Sequence, residues 1–157
     1  MAFLLLLLIP AGLVVPFALA GHGLGTLGRV GLRGADRRTW FRSGASLLGG
    51  VAAALYTWGL LLIALAVVDA EDGGTDSSPL RPCRTPGRWE RALTVVDYTV
   101  DYVPLRFVCE TKHGGRYAAE SVPGYVNPAV LGFALAAVGC AAAALVPEDR
   151  PERDPAV

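Results

Sequence analysis

Three runs of this chain contain no Asp, Glu, Lys, Arg or His: Ala2–Ala20, Gly44–Val68 and Ala129–Val146. Each is close to the ~17–25 residues that a helix needs to cross the hydrocarbon core of a bilayer. Buried helices of a soluble domain seldom lack every charge over such a length, so length and charge exclusion together argue for membrane spans. Composition agrees, with 53% hydrophobic and 18% charged residues, against roughly 45–50% and ~25% in ordinary soluble domains.

The first run, 2–20, has an alternative reading as a secretory signal peptide, because Ala18-Leu19-Ala20 before Gly21 looks like a cleavage site. Against it, no Lys or Arg precedes the run, which also exceeds the usual ~7–15 apolar residues of such peptides. A retained first span is therefore the expectation. Pro10 and Pro16 each remove a backbone donor from it, which a membrane helix tolerates when a neighbour satisfies the freed carbonyl. The second span, 44–68, offers a small-residue surface at Gly44, Ala45, Gly49, Ala52 and Ala53 that permits close helix approach. Tyr56 and Trp58 fall nearer its middle than an interfacial belt predicts, so their polar edges are expected to find partners on another helix. The third span, 128–146, is expected to start with Asn127 as N-cap and Pro128 in its first turn, with Tyr125 at the interface. Its Cys140 reads as a small apolar residue.

The zero net charge hides a pattern. Residues 21–43 hold Arg29, Arg33, Arg37, Arg38 and Arg42 against Asp36, residues 69–127 carry a net −2, and the tail 147–157 another −2. Arginine is biased toward cytoplasmic loops. That bias places 21–43 and the C-terminal tail in the cytoplasm, and the N-terminus and residues 83–127 outside, in a multi-pass plasma-membrane protein. The five arginines also suit anionic lipid headgroups, at about 1 kcal/mol each near the surface. A location beside the bilayer accounts for them without nucleic acid. Gly23-Leu24-Gly25-Thr26-Leu27-Gly28 matches a dinucleotide-binding pattern literally, but it follows a candidate span rather than a strand, so it predicts no nucleotide.

Residues 69–82 are acidic, then Gly-, Ser- and Pro-rich, and read as a flexible linker. Residues 83–127 read as a small β-rich domain. Thr94–Tyr102 alternates Val96, Tyr98, Val100 and Tyr102 against Asp97, Thr99 and Asp101, and Leu105–Thr111 alternates Leu105, Phe107 and Cys109 against Arg106, Val108 and Glu110. Lys112-His113-Gly114-Gly115 is a hairpin turn signal with Arg116–Val122 as the return strand. Pro104 marks an edge or bulge between the first two strands. Three short strands make a core too small to stand alone. A Cys83–Cys109 disulfide, closing a loop of about 25 residues and stabilising by roughly 3 kcal/mol, would compensate. Such a bridge needs an oxidising compartment, in agreement with the external location. The expected fold is thus an α-helical membrane protein with three transmembrane helices and a disulfide-stapled β-rich extracytoplasmic domain between the second and third.

Lys112 is the only lysine, Asn127 the only asparagine, and glutamine is absent, while Arg, Ala, Gly, Val and Leu dominate. This bias fits a high-GC bacterial genome, and the layout resembles that of small integral membrane proteins of actinobacteria. The resemblance is one of style along the whole chain, without a specific motif, and implies no site residue.

No catalytic or metal-binding pattern stands out. His22 and His113 fall on opposite sides of the expected membrane, and G-x-S-x-G, H-E-x-x-H and C-x-x-C are missing. No ionisable residue lies inside a span, so an ion path lacks its usual marker. The chain is therefore not expected to be an enzyme or to hold a cofactor. Its expected role is to present the external domain to a protein partner, with Trp89, Tyr98, Tyr102, Arg106, Phe107 and Tyr117 as candidate contacts, since Tyr, Trp and Arg are the usual anchors of binding energy. Some of these must instead fill the small core. The alternative is a subunit of a membrane transporter or channel, oligomerising with its own copies or with other subunits through the small helix faces.

Overall fold

A computed structural model describes residues 2–31, 34–72, 79–84 and 89–146. The central part of the expected linker (73–78), Arg33 and the tail 147–157 lie outside the described residues. Three long helices dominate: α1 (Ala2–Val30), α2 (Arg37–Glu71) and α4 (Val126–Ala143). All three are long and apolar enough to cross a membrane. Between α2 and α4 lie a one-turn helix, α3 (Trp89–Ala92), and three strands, β1 (Val95–Tyr102), β2 (Leu105–Thr111) and β3 (Arg116–Ala118), in one antiparallel sheet of order β1-β2-β3.

α1 and α2 run well past their charge-free cores and meet in a short turn. α1 ends at Gly31, whose φ of 75° only glycine adopts readily and whose N–H closes on the Leu27 carbonyl at 2.9 Å. α2 starts on Asp36, whose carboxylate accepts the Thr39 N–H at 3.0 Å. The glycine pattern at Gly23–Gly28 is thus helical, and Gly23 lies where an added Cβ would come within 3.1 Å of the Ser43 carbonyl. Pro16 has no N–H for the Gly12 carbonyl four residues back. Thr57 of α2 makes up for it: its hydroxyl lies 2.9 Å from the Gly12 oxygen and 2.7 Å from that of Ala53, one proton shared between two carbonyls. Gly12 is needed for this approach, because a Cβ there would collide with the Thr57 side chain.

α2 is the common neighbour of α1 and α4, which flank it at different heights. Gly12 meets Thr57, Pro16 and Leu19 meet Gly50, and Gly23 meets Leu47. The apolar part of α1 therefore faces α2 from about Leu48 to about Ala66. On the other flank, Val126 meets Gly59, Ala137 meets Gly49 and Cys140 meets Gly44. α4 therefore covers only the lower part of α2, up to Gly59. The two flanking apolar runs are displaced by about ten residues, ~15 Å at 1.5 Å per residue.

The sheet fills the height that α4 leaves open. Its inner face, with Val100, Leu105, Phe107 and Cys109, joins Leu60, Ile63, Ala66 and Ala70 of α2 and Leu5 of α1 in one buried cluster. Phe107, Leu105, Leu60 and Ile63 are all at most 1% exposed. The core is therefore not confined to residues 83–127. It is shared by the sheet, the last three turns of α2, Leu5 of α1 and Cys83. The Cys83–Cys109 disulfide is present, with a Cα–Cα distance of 6.1 Å. Strand phase differs in one place: the register shifts between Val95 and Asp97, turning Val96 outward at 56% exposure and packing Val95 against the core. Tyr102 pairs with Leu105 across a two-residue turn whose Val103–Pro104 peptide is cis, and Gly114 takes a φ of 75° in the second turn.

Candidate functional site

The outer face of the sheet is a polar surface backed by the buried cluster. Along β1 and β2, Asp101 faces Arg106, Thr99 faces Val108 and Asp97 faces Glu110, and β3 adds Ala118 beside Val108 and Arg116 beside Glu110. The Thr99 hydroxyl donates to the Glu110 carboxylate at 2.8 Å, and the Arg116 guanidinium donates to the same oxygen at 2.6 Å. These two donors, the Thr99 hydroxyl first, hold the Glu110 carboxyl below its ordinary value of 4.5. Beside them Asp101, Arg106, Val108, Arg116, Tyr117 and Ala118 line a shallow hollow of about 210 Å³. Val108 forms its apolar floor, 8% exposed. The hollow thus combines two guanidinium groups, a carboxylate and an apolar base, suited to polar recognition of another surface.

The six residues singled out as partner contacts separate into two groups. Phe107 is fully buried, so it belongs to the core and not to a contact surface. Tyr98 stacks on Phe107 with ring centroids 4.9 Å apart, and its hydroxyl donates to Glu71 at the end of α2 at 2.7 Å. Burial, followed by that bond to a carboxylate, pushes its phenol up to about 12. Tyr102 packs on the same cluster, and its carbonyl accepts the Tyr56 hydroxyl at 3.0 Å. The polar edge of Tyr56 therefore finds the sheet, where a helix partner is the sequence-based expectation. Tyr117 also lies against the core and donates to the Cys83 carbonyl at 2.9 Å, tying β3 to the disulfide. Desolvation raises its phenol above the ordinary range. Only Arg106 and Trp89 stand on the surface, Trp89 with the Arg84 guanidinium 5.9 Å from its ring centre.

One residue holds the sheet to α4 in a way sequence reasoning missed. α4 begins at Val126 with Tyr125 as its cap residue, so Asn127 is not the N-cap but lies in the first turn. Its side-chain amide accepts from the Leu105 N–H at 2.9 Å and donates to the Leu105 carbonyl at 3.0 Å. On the same edge of β2, the Phe107 carbonyl accepts the Ala119 N–H at 2.8 Å. Beyond the end of β3, Asn127 thus continues the ladder as a peptide group would, satisfying backbone groups that burial would otherwise leave costly. The one signal available was that Asn127 is the sole asparagine of the chain.

At the opposite end of the bundle, Arg29, Arg37, Arg38 and Arg42 are all exposed around the α1–α2 turn. Asp36, Arg37 and Arg38 line a cavity of about 400 Å³ with Ala143, Ala144, Leu145 and Val146 of the α4 end. The Arg37 guanidinium lies 5.4 Å from the centre of the Phe41 ring. The bonds from Thr39 hold the Asp36 carboxyl below its ordinary range. A third feature is an apolar groove of about 510 Å³ between α1 and α2, where Pro16, Phe17, Gly50, Val51 and Trp58 are among the lining residues. Among the described residues, no three His, Cys, Asp or Glu side chains gather as metal donors.

No protein-family model, curated protein or solved structure matches the chain. Its fold defines a class: three helices apolar enough to span a bilayer, with a small disulfide-closed antiparallel sheet seated on the central one, which fits a membrane protein.

Proposed function

We propose that this is a small integral membrane protein that crosses the plasma membrane three times and presents its sheet, on the extracytoplasmic side, to a protein partner. The sheet spends its inner face on α2, and this observation carries the reading, because the outer face is left rigidly backed and pointing away from the helices. Residues 21–43 at the other end of the bundle carry five arginines against one acid, whereas residues 69–127 carry a net −2, and the bias of basic residues toward the cytoplasm supports placing the α1–α2 turn inside. The disulfide at the sheet end agrees with an oxidising exterior. Arg106 and Arg116, with the hollow between them, and Trp89 form the contact surface, and Tyr98, Tyr102, Phe107 and Tyr117 hold it in shape. At the cytoplasmic end Arg29, Arg37, Arg38 and Arg42 lie among lipid headgroups. The role is binding, without catalysis.

The groove between α1 and α2 favours a second reading, a subunit of a transporter or channel assembly in which another helix fills that groove. A photo-crosslinking residue at Arg106 or at Val51, installed in the full chain in its native membrane, separates the two. Discrete adducts from position 106 that disappear with Arg116→Glu support partner binding by the sheet. Adducts confined to position 51 overturn it in favour of helix assembly.

A further inference from the structure

The turn between β1 and β2 sits where α4 enters the apolar layer. Asn127, in the first turn of α4, holds Leu105 by two hydrogen bonds, 2.9 and 3.0 Å, and Leu105 directly follows Val103–Pro104. Leu105 and Val126 also close on the same residue of α2: an added Cβ at Gly59 would lie 2.6 Å from Leu105 Cδ1 and 3.3 Å from Val126 Cγ1. The turn and the start of α4 are thus fixed at one height. α4 has only 18 residues, ~27 Å of helix, and the hydrocarbon core is ~30 Å thick. A span of that length has no slack, so its first turn must lie at the boundary between acyl chains and headgroups.

Two further observations meet at this height. Tyr56 and Trp58 precede Gly59 on α2, Tyr102 is bonded to Tyr56, and Tyr125 precedes Val126. Four aromatic residues with polar edges are therefore tied to the level of Gly59, which marks an interface there and not, as the charge-free run 44–68 implies, at Val68. Trp40, half-exposed near the other end of α2, lies 18 residues from Trp58, or ~27 Å along the helix, the spacing of two interfaces. At the turn itself Val103 is 89% exposed, and Tyr125, which caps α4, is 61% exposed. An apolar tip so exposed adds no burial to the fold, and Leu105 next to it is bonded to the first turn of α4, whose Leu131, Leu135 and Val138 are 61–65% exposed.

We propose that the β1–β2 turn, Val103–Pro104 with Tyr125 beside it, dips into the interfacial region of the leaflet in which α4 begins. The inference rests on the reading of α4 as a span. The sheet then has three fixed points: its seat on α2, the Asn127 amide and this lipid contact. Its outer face is held at a set angle to the bilayer instead of swinging on the linker. The far end of the hairpin, at Lys112, lies about seven strand residues away, ~23 Å from the tip and clear of the lipid.

The test uses the full chain in phosphatidylcholine vesicles, with Trp40, Trp58 and Trp89 replaced by Phe and one tryptophan returned at a time. Lipids brominated high or low on the acyl chain report depth by quenching. Phe133→Trp, in the middle of α4, should be quenched most by deep bromines. Val103→Trp, at a site 89% exposed where a larger side chain displaces nothing, should lose about half its emission to shallow bromines and little to deep ones, and Tyr125→Trp, which reports the start of α4, should be quenched by shallow bromines with or without the tip contact. Lys112→Trp should stay unquenched. If Val103→Trp remains as bright as Lys112→Trp while Phe133→Trp and Tyr125→Trp are quenched, the tip contact is refuted and the span stands. If Phe133→Trp is also unquenched, the span reading falls and takes the tip contact with it.

Discussion

α1 and α4 flank the same helix with similar apolar composition, yet they are not equivalent. α1 runs beside almost all of α2, whereas α4 stops at Gly59 and the sheet takes over above it. The last three turns of α2 thus meet a helix on one side and a sheet on the other. The shift also matters for the bilayer. An upright bundle that immerses α4 leaves Phe3, Leu4, Leu6 and Leu7 of α1, 49–88% exposed, above the apolar layer. Tilting the bundle about the start of α4 lowers that end of α1, within the ~0–40° range membrane helices adopt. The lesson is that a soluble-looking segment can depend on the end of a long apolar helix for its core.

The largest expected effect comes from breaking that shared core. Ile63→Ala removes a fully buried side chain beneath the sheet and should destabilise the sheet by about 2–5 kcal/mol. Leu131→Ala on α4, where the side chain is 61% exposed, should change it by less than ~0.5 kcal/mol. Thermal melts in detergent, followed through the tyrosine circular dichroism band, check both. A sheet indifferent to Ile63→Ala would be a domain of its own, and the contrast between the two flanks would collapse.

Next in size is the staple. Cys83→Ser should lower sheet stability by roughly 3 kcal/mol. The helical signal should persist, because the disulfide lies within the sheet half of the cluster. Simultaneous loss of helix and sheet in the same melt would count against a helical scaffold that survives without the sheet.

On the α1 flank, Thr57→Val should cost ~0.5–1.5 kcal/mol by taking the donor from the Gly12 carbonyl. In a Pro16→Ala background the residue-16 N–H returns to that carbonyl, so the same substitution should cost much less. The coupling energy of the double-mutant cycle measures the difference. An equal cost in both backgrounds would show that Thr57 does not serve the proline-freed carbonyl.

The smallest effect is at the outer face. Glu110 has its folded pKa depressed below 4.5 by the Thr99 hydroxyl and Arg116. Its stabilising contribution is therefore present above that value and is lost as pH falls through the depressed one. Glu110→Gln should flatten this acid limb of the sheet melt slightly without moving the midpoint near neutral pH by much, since the pair is solvent-screened. An unaltered acid limb would remove the bond from the account.

The sequence carried the helices and strands because their signals are local. Charge exclusion marked α1, α2 and α4, strand alternation marked β1 and β2, and Gly114 marked the second turn. The Cys83–Cys109 pair was legible from there being only two cysteines outside the spans. What sequence reading could not supply was which partner each apolar residue meets. Leu60, Ile63 and Ala66 read the same whether they face lipid, a helix or a sheet. Phe107, Tyr98 and Tyr117 read as contacts because an aromatic on a strand has no preferred face until the other layer is known. Val96 was misassigned because a one-residue register shift reverses the face. The Asn127 amide acts on a strand edge more than twenty residues away, and no local pattern announces it.

Topology is tested most directly by single-cysteine labelling in intact cells, using a Cys140→Ala background and a membrane-impermeant maleimide. Lys112→Cys at the sheet end should label without permeabilisation, and Arg38→Cys at the turn end should label only after it. Labelling of Arg38→Cys in intact cells while Lys112→Cys stays protected would turn the protein upside down in its membrane and contradict the account.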